Sequence, residues 1–269
     1  MNILVSTLAL LVVFVLLLTV FKGVGLGVLF NWEALMIILG GTAAGLLIGY
    51  PIDKLKATFK AVLDSFNLEF EREKTIENIL AVARLYRKSE VRSLERMAGY
   101  IDDSMMRLGI NLLINYHRSE DIRAIMEREV TSRLITLQGY QNVLKTAARL
   151  APSLGLAGTV ISLIKMFGQM STAEAMMPLM AVALMSTFYG VIISNLIFMP
   201  LNAKLKYIAD SMEEELWLTI EGIDAIHKGE HPLRIEERLR GGWLYGDAPL
   251  VKLNHIGSLA TEGAYRGRL

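Results

Sequence analysis

Two membrane-length stretches in the second half constrain this chain more than any other feature: Leu150 to Met170 (LAPSLGLAGTVISLIKMFGQM) and Pro178 to Pro200 (PLMAVALMSTFYGVIISNLIFMP). Crossing a hydrocarbon layer of roughly 30 Å takes about 20 residues of helix. Backbone polar groups in lipid must be satisfied within the segment, so both stretches are predicted as transmembrane helices. Each also carries hydroxyl residues, glycines and a proline, which a helix facing only lipid does not need. Such residues suit helices packed tightly around something that passes between them.

The whole chain has 269 residues, 53% of them hydrophobic, which points to a membrane protein with a sizeable soluble part. Two more stretches are long enough to span, Ile3 to Val20 and Glu33 to Tyr50, and the later pair extends over Leu150 to Met170 and Ala175 to Pro200. The first lacks a basic n-region and a small-x-small cleavage site, so it is read as a span rather than a signal peptide. Of the 28 Lys and Arg residues, 17 lie between Lys54 and Arg149 and 9 between Lys204 and Arg268, leaving Lys22 and Lys165. The positive-inside rule then places the central segment, the tail and both termini in the cytoplasm. With no cysteine in the chain, disulfides, cysteine nucleophiles and thiolate metal sites are excluded.

Along the chain, the Gly-rich link Lys22 to Leu29 reads as a turn, and Gly40 and Gly41 in the second span allow close helix approach. From Pro51 the pattern becomes amphipathic, with Ile76, Ile79, Leu80 and Ala83 at helical spacing among charged residues, which predicts a cytoplasmic helical hairpin or small bundle. A dense mixed-charge run follows, from Arg84, Arg87, Lys88 and Glu90 to Arg92, Glu95 and Arg96. Two readings of it stand open: a solvated face laced with ion pairs, or a docking surface for a charged partner. Ser119, followed by Glu120 and Asp121, is a predicted helix start. No strong breaker follows before Pro152, so one helix is expected to run from the cytoplasm into the third span. The fourth span is likewise expected to continue past Pro200. The expected fold is all-α: residues 1–50 a first transmembrane hairpin, 51–149 a cytoplasmic helical domain, 150–200 a second transmembrane hairpin, 201–240 a cytoplasmic helical extension and 241–269 a mobile tail.

An enzyme reading finds little support. There is no Gly-rich phosphate loop and no HExxH, and His117, His227, His231 and His255 are scattered over segments expected to be cytoplasmic. No cofactor, resident metal or nucleic-acid partner is expected. Glu33, Lys165 and Glu174 fall at span ends, so the hydrocarbon core has no titratable acid of its own. If ions cross here, the acid must come from another chain. What this chain can supply is neutral oxygen. Gly155, Thr159 and Ser162 share one helix face, as do Thr187, Gly190 and Ser194, and Pro152 and Pro200 each free a carbonyl. Hydroxyl and carbonyl oxygens can replace part of a small cation's hydration shell. Serines and threonines in spans also bond across helices or to their own backbone, so from spacing alone packing and ion passage are equally open.

FNWEALMIILGGTAAGLLIGYP and APSLGLAGTVISLIKMF resemble the second and third spans of the MotA/TolQ/ExbB family, on its flagellar-stator side. YRKSEVRSLE and IDDSMMRLGINLLINYHRSEDIRAIMEREV are similar in layout to its cytoplasmic part, and the resemblance covers about residues 1 to 240. Four spans with a long loop between the second and third resemble the flagellar branch, whose TolQ and ExbB relatives have three. The resemblance implies a ring of five copies in the bacterial inner membrane around a MotB/PomB-like single-span partner, whose aspartate carries the ion. It places the family's important prolines on Pro152 and Pro200. The family's contacts with a rotor switch-ring protein fall on Arg87 and Glu95, beside Lys88 and Arg92. ALMSTFYGVIISNLIFMP is similar to the sodium-type PomA and MotP branch, with Ser186, Thr187, Tyr189 and Gly190 in the fourth span and Thr159 in the third. The implied pathway therefore runs past Thr159, Ser162, Ser186, Thr187 and Tyr189, with Na+ favoured and H+ open. Three residues differ from the family pattern: Asn31 stands where an acid is usual, Ser162 replaces a common glycine, and Arg92 is an extra arginine. The implied alternatives are a TolQ- or ExbB-like energiser of envelope or gliding machinery, and, from another class, a membrane scaffold without ion flux.

Overall fold

The computed structural model describes residues 31–241, apart from 69, 116 and 169–172, together with isolated positions 11, 12, 15 and 19. Apart from those four positions, the expected first span, the Lys22 to Leu29 link and the tail beyond 241 lie outside these residues. The described residues form nine α-helices and one π-helical turn, with no strand among them. They are α1 (Trp32–Gly49), α2 (Ile52–Asp64), α3 (Arg72–Arg87), α4 (Val91–Tyr100), α5 (Ser104–Ile114), α6 (Ser119–Gly168), α7 (Ala173–Ile193), the π turn (Ser194–Phe198), α8 (Met199–His227) and α9 (Pro232–Gly241). Three stretches of helix, Trp32–Gly49, Ser119–Gly168 and Met176–His227, are long and apolar enough to cross a membrane. The chain divides into two compact units, one built from Met1–Phe70 with Thr131–Glu213 and the other from Glu71–Val130 with Glu214–Leu269.

In the first unit, α1 begins where the Asn31 side chain accepts from the Ala34 amide at 3.1 Å, satisfying one of the orphan donors of a helix N-terminus. It ends at Tyr50, whose backbone is extended (φ −139°, ψ 143°) because the ring of Pro51 disfavours helix in the residue before it. Close approach in α1 comes from Gly41 and Gly45, where a Cβ would meet the Leu154 and Leu150 side chains at 2.9 and 2.8 Å. Gly40 has nothing within 4 Å of such a carbon, so among the described residues only Gly41 of the expected pair serves packing.

Helix α6 passes through Pro152 without a break over 50 residues. A proline has no N–H, so the carbonyl four residues back, Ala148, loses its usual donor. The Ser194 hydroxyl, fully inside the unit, donates to that carbonyl at 2.6 Å. Pro200 acts differently. Ahead of it the helix widens into the π turn, where the Met199 amide reaches back to the Ser194 carbonyl. Replacing Ser194 by Ala leaves the Ala148 carbonyl buried and unpaired, and the expected loss is about 1–2 kcal/mol. A fall in the melting temperature of the purified protein in detergent checks this, with Ser194→Thr retaining most of the stability.

In the second unit the predicted apolar face of α3 is the buried one: Ile76, Ile79, Leu80 and Ala83 are all at most 5% exposed. Leu94 of α4, Met105 and Ile110 of α5, Met126 of α6 and Ile223 of α8 are buried as well. Gly109 and Gly222 let helices meet closely, since a Cβ at either would lie within 2.7 Å of Ile223 or Ile79. Two helices end in Schellman geometry, in which a left-handed residue lets the next amides cap the last carbonyls. After α8 that residue is Gly229 (φ 73°), with Glu230 N donating to Ala225 O. After α3 it is Ser89 (φ 56°), with Glu90 N donating to Leu85 O, so a non-glycine side chain holds this turn. A Cβ in that region costs about 1–2 kcal/mol.

Ser119 opens α6 but does not cap it. Its hydroxyl donates to the buried Asp224 carboxylate at 2.9 Å, and Lys228 Nζ donates to the other oxygen at 2.6 Å. Burial pushes the Asp224 pKa up, but the bonds from Lys228 and Ser119 and the charges of Lys228 and Arg123 outweigh it, and the net direction is down. A carboxyl depressed by folding stabilises above its unfolded pKa, near 3.9 for an aspartate, and that stability is lost as pH falls through the folded value. Asp224→Asn is therefore expected to cost about 2 kcal/mol at pH 7 and less as the pH drops below about 4. Melting curves of both proteins between these pH values measure it, and parallel curves would contradict the assignment.

Candidate functional site

Helices α6 and α7 make backbone contact, and two glycines are the reason. A Cβ on Gly155 would lie 2.7 Å from the Ser186 carbonyl oxygen, and one on Gly190 would lie 2.7 Å from the Ala151 carbonyl oxygen and 3.2 Å from the Pro152 Cα. Without side chains at both places the helix backbones meet, as small residues permit in membranes. One turn away, the Thr159 and Thr187 hydroxyls stand 2.6 Å apart. Thr187 is exposed and Thr159 half-buried, so the pair lies at the open edge of the helix contact.

Proton counting shows what this pair presents. Thr159 Oγ1 is also 3.0 Å from the Ala183 carbonyl and 3.2 Å from the Gly155 carbonyl. Each hydroxyl has one proton and two lone pairs. The arrangement that uses every group has Thr159 donating to a carbonyl and accepting from Thr187. The Thr187 oxygen, on an exposed residue, then keeps both of its lone pairs as acceptors without a competing proton. No Asp or Glu occurs between Leu150 and Gly168 or between Ala175 and Pro200, so this acceptor is neutral.

The other residues expected to line the pathway lie elsewhere on the same helices. Ser186 is fully buried and donates to Val182 O of its own helix at 2.8 Å, with Gly158 packed against it. Ser162 is buried at 2% exposure. The Tyr189 hydroxyl accepts from the Asn31 amide at 3.0 Å, tying the start of α1 to α7. Asn31 thus has two roles at once: its side-chain oxygen caps α1 and its backbone N–H anchors Tyr189. Its position just before an apolar run was the sequence signal for the cap; its partner 158 residues away had none.

In the second unit, Arg87 closes α3, Lys88 is its C-cap, and Arg92 and Glu95 lie on α4. All four are exposed, as is Arg96. Among the described residues no ion pair joins any of them; Arg96 reaches only Arg92 O and Ser93 Oγ, both at 3.4 Å. The run is therefore solvated, with none of these five charges held in an ion pair among the described residues. The Ser89 turn sets Arg87 and Lys88 on one side and Arg92 and Glu95 on the other.

Comparison with known proteins agrees with this architecture. The sequence profile of the MotA/TolQ/ExbB proton channel family matches residues 98–217. Motility protein A of Cereibacter sphaeroides is 31% identical over 208 residues, 77% of this chain and 82% of that protein. Chemotaxis protein PomA of Vibrio alginolyticus is 28% identical over 219 residues, 81% of this chain and 86% of that one. Among solved structures, the flagellar MotAB stator complex from Bacillus subtilis superposes with a TM-score of 0.76 at 27% identity, covering 88% of this chain and 92% of that chain. The C. jejuni MotAB structure shares the fold with a TM-score of 0.81 at 20% identity, covering 93% and 99%. By sequence, by coverage and by fold, the chain belongs to the MotA/TolQ/ExbB proton channel family.

Proposed function

We propose that the chain is a ring-forming subunit of a flagellar motor stator in a bacterial inner membrane, one that conducts cations with a single-span MotB/PomB-like partner and turns their flow into torque. The observation that carries this reading is the Thr159–Thr187 pair, 2.6 Å apart at the open edge of two acid-free helices held together by Gly155 and Gly190. Neutral oxygens can take over part of a cation's hydration shell but cannot hold its charge, and the partner's aspartate supplies that charge. The likeness to Motility protein A, to PomA and to the MotAB stator complexes supports the partner and the flagellar setting. The basic residues concentrated between Lys54 and Arg149 and beyond Lys204 support a cytoplasmic face carrying Arg87, Lys88, Arg92 and Glu95, whose exposed and unpaired charges would meet the rotor. Helices α6 and α8 each run without interruption from an apolar stretch of span length into a polar one.

The subunit performs no covalent chemistry and holds no cofactor; Na+ or H+ is its cargo. Sodium is favoured because paired hydroxyls suit a cation that must shed water, whereas a proton needs only a carboxylate. The decisive measurement is ion flux by the complex with its partner, reconstituted in liposomes, under a sodium gradient and under a proton gradient alone. Sodium-driven flux with little proton-driven flux is expected. Equal flux without sodium rejects the sodium assignment and keeps the stator one. No flux with either ion, from complexes that assemble, rejects both.

A further inference from the structure

Helix α2 leaves an apolar stripe uncovered in a place where lipid would cover it. At 100° per residue, Ile52, Phe59 and Leu63 fall within one narrow arc. They are 54%, 68% and 53% exposed. On one side of this arc lies the buried face, Thr58 and Val62. On its other side come Lys56 and Lys60, and only beyond them the acids Asp53 and Asp64. An apolar stripe bordered by lysines, with the acids beyond them, is an order of side chains that suits a helix lying in a membrane interface.

The depth of α2 places its Val62 level at the outer edge of the headgroup layer, from which a side chain pointing toward the bilayer reaches inward. Val62 packs with Leu144 of α6 and Leu205 of α8. The apolar stretches of those helices end at Leu150 and Pro200, five or six residues away, which is about 8–9 Å along a helix. The headgroup layer of a bilayer begins at the edge of the hydrocarbon core and is roughly 5–8 Å deep. Helix α2 also follows α1 after only Tyr50 and Pro51, and the Tyr50 hydroxyl is 2.9 Å from Thr146 Oγ1, which fixes its start at the same level.

We propose that α2 is an interfacial helix that binds anionic phospholipid: Ile52, Phe59 and Leu63 enter the acyl boundary while Lys56 and Lys60 meet headgroup phosphates. This rests on the membrane placement proposed above but not on ion conduction. Lysines beside an anionic surface each strengthen association by roughly fivefold.

Because the chain has no cysteine, single cysteines can be placed for spin labels without removing native ones. The full chain with its partner is reconstituted in phosphatidylglycerol-containing bilayers, and labels at 59 and 63 are compared with labels at 53 and 64 for relaxation by oxygen, which enters lipid, and by a nickel chelate, which stays in water. Oxygen is expected to dominate at 59 and 63, and nickel at 53 and 64. Nickel dominating at 59 and 63 overturns the proposal. Shielding of both positions from both reagents overturns it in favour of a second copy of the chain as the occupant. Spin-labelled phosphatidylglycerol tests the headgroup part: the Lys56→Gln, Lys60→Gln double variant should bind it at least roughly tenfold more weakly than wild type, and equal binding overturns that part. A complex that fails to conduct would still give the expected accessibility pattern, so loss of the stator reading and loss of this one are told apart.

Discussion

Gly190→Ala is expected to lower stability by about 2 kcal/mol and to abolish swimming, although alanine is the better helix former. Helix propensity alone favours alanine by about 1 kcal/mol in a soluble helix. The new methyl, however, would stand 2.7 Å from the Ala151 carbonyl oxygen, 3.2 Å from the Gly155 Cα and 3.2 Å from the Pro152 Cα. All three are backbone atoms, which cannot move aside by changing rotamer. Relief requires α6 and α7 to separate, at an overpacking cost of about 3 kcal/mol. Separation also pulls apart the hydroxyls of Thr159 and Thr187, now at 2.6 Å. Gly40→Ala is the matched control. A Cβ there meets nothing within 4 Å, so it should be neutral or slightly stabilising. Melting temperature and membrane accumulation of the two variants measure the contrast, and equal behaviour would show that helix approach is not what Gly190 is for.

Thr187→Val is expected to leave the fold nearly intact and to reduce ion-driven swimming by roughly tenfold or more. Valine keeps the shape and β-branching of threonine. The lost hydrogen bond is worth about 0.6 kcal/mol between membrane helices, since Thr159 retains the Ala183 and Gly155 carbonyls as acceptors. An oxygen facing a cation is worth more, about 1.5–3 kcal/mol for a bond to a charged group. The two effects differ enough to separate packing from conduction. Thr187→Ser, which keeps the oxygen, should restore most of the activity. If Thr187→Val swims as wild type while assembling normally, the hydroxyl pair is a packing device and a scaffold without ion flux becomes the better account.

The same contrast marks how far the sequence reaches. The all-helical fold follows from hydropathy and from the spacing of Ile76, Ile79, Leu80 and Ala83, because a 3.6-residue period and a hydrophobic face are local properties of the chain. The run of α6 from Ser119 as far as Pro152 follows from the lack of a strong breaker between them, and the faces holding Gly155 with Thr159 and Thr187 with Gly190 follow from i+3 and i+4 arithmetic. Pairing across helices obeys no such arithmetic. Spacing treats Ser162, Ser186 and Thr187 alike as hydroxyls in spans, yet Thr187 meets Thr159 while Ser186 turns back on Val182 O. Only the rotation of α7 against α6, set by the contact of two glycine backbones, decides between them.

The membrane-length segments at Leu150 and Pro178 therefore announced themselves, since burial in lipid demands composition that any window of residues reveals. Pro152 likewise announced a free carbonyl, because a missing N–H is a property of one residue. That Ser194, 46 positions from Ala148, fills it was decided by the packing of the helices, as was the exposure of Ile52, Phe59 and Leu63 on a helix whose neighbouring face is buried. Periodicity is written along a single helix. Contact between helices depends on how their faces are turned toward one another, and that is fixed when the side chains of several segments compete for the same space.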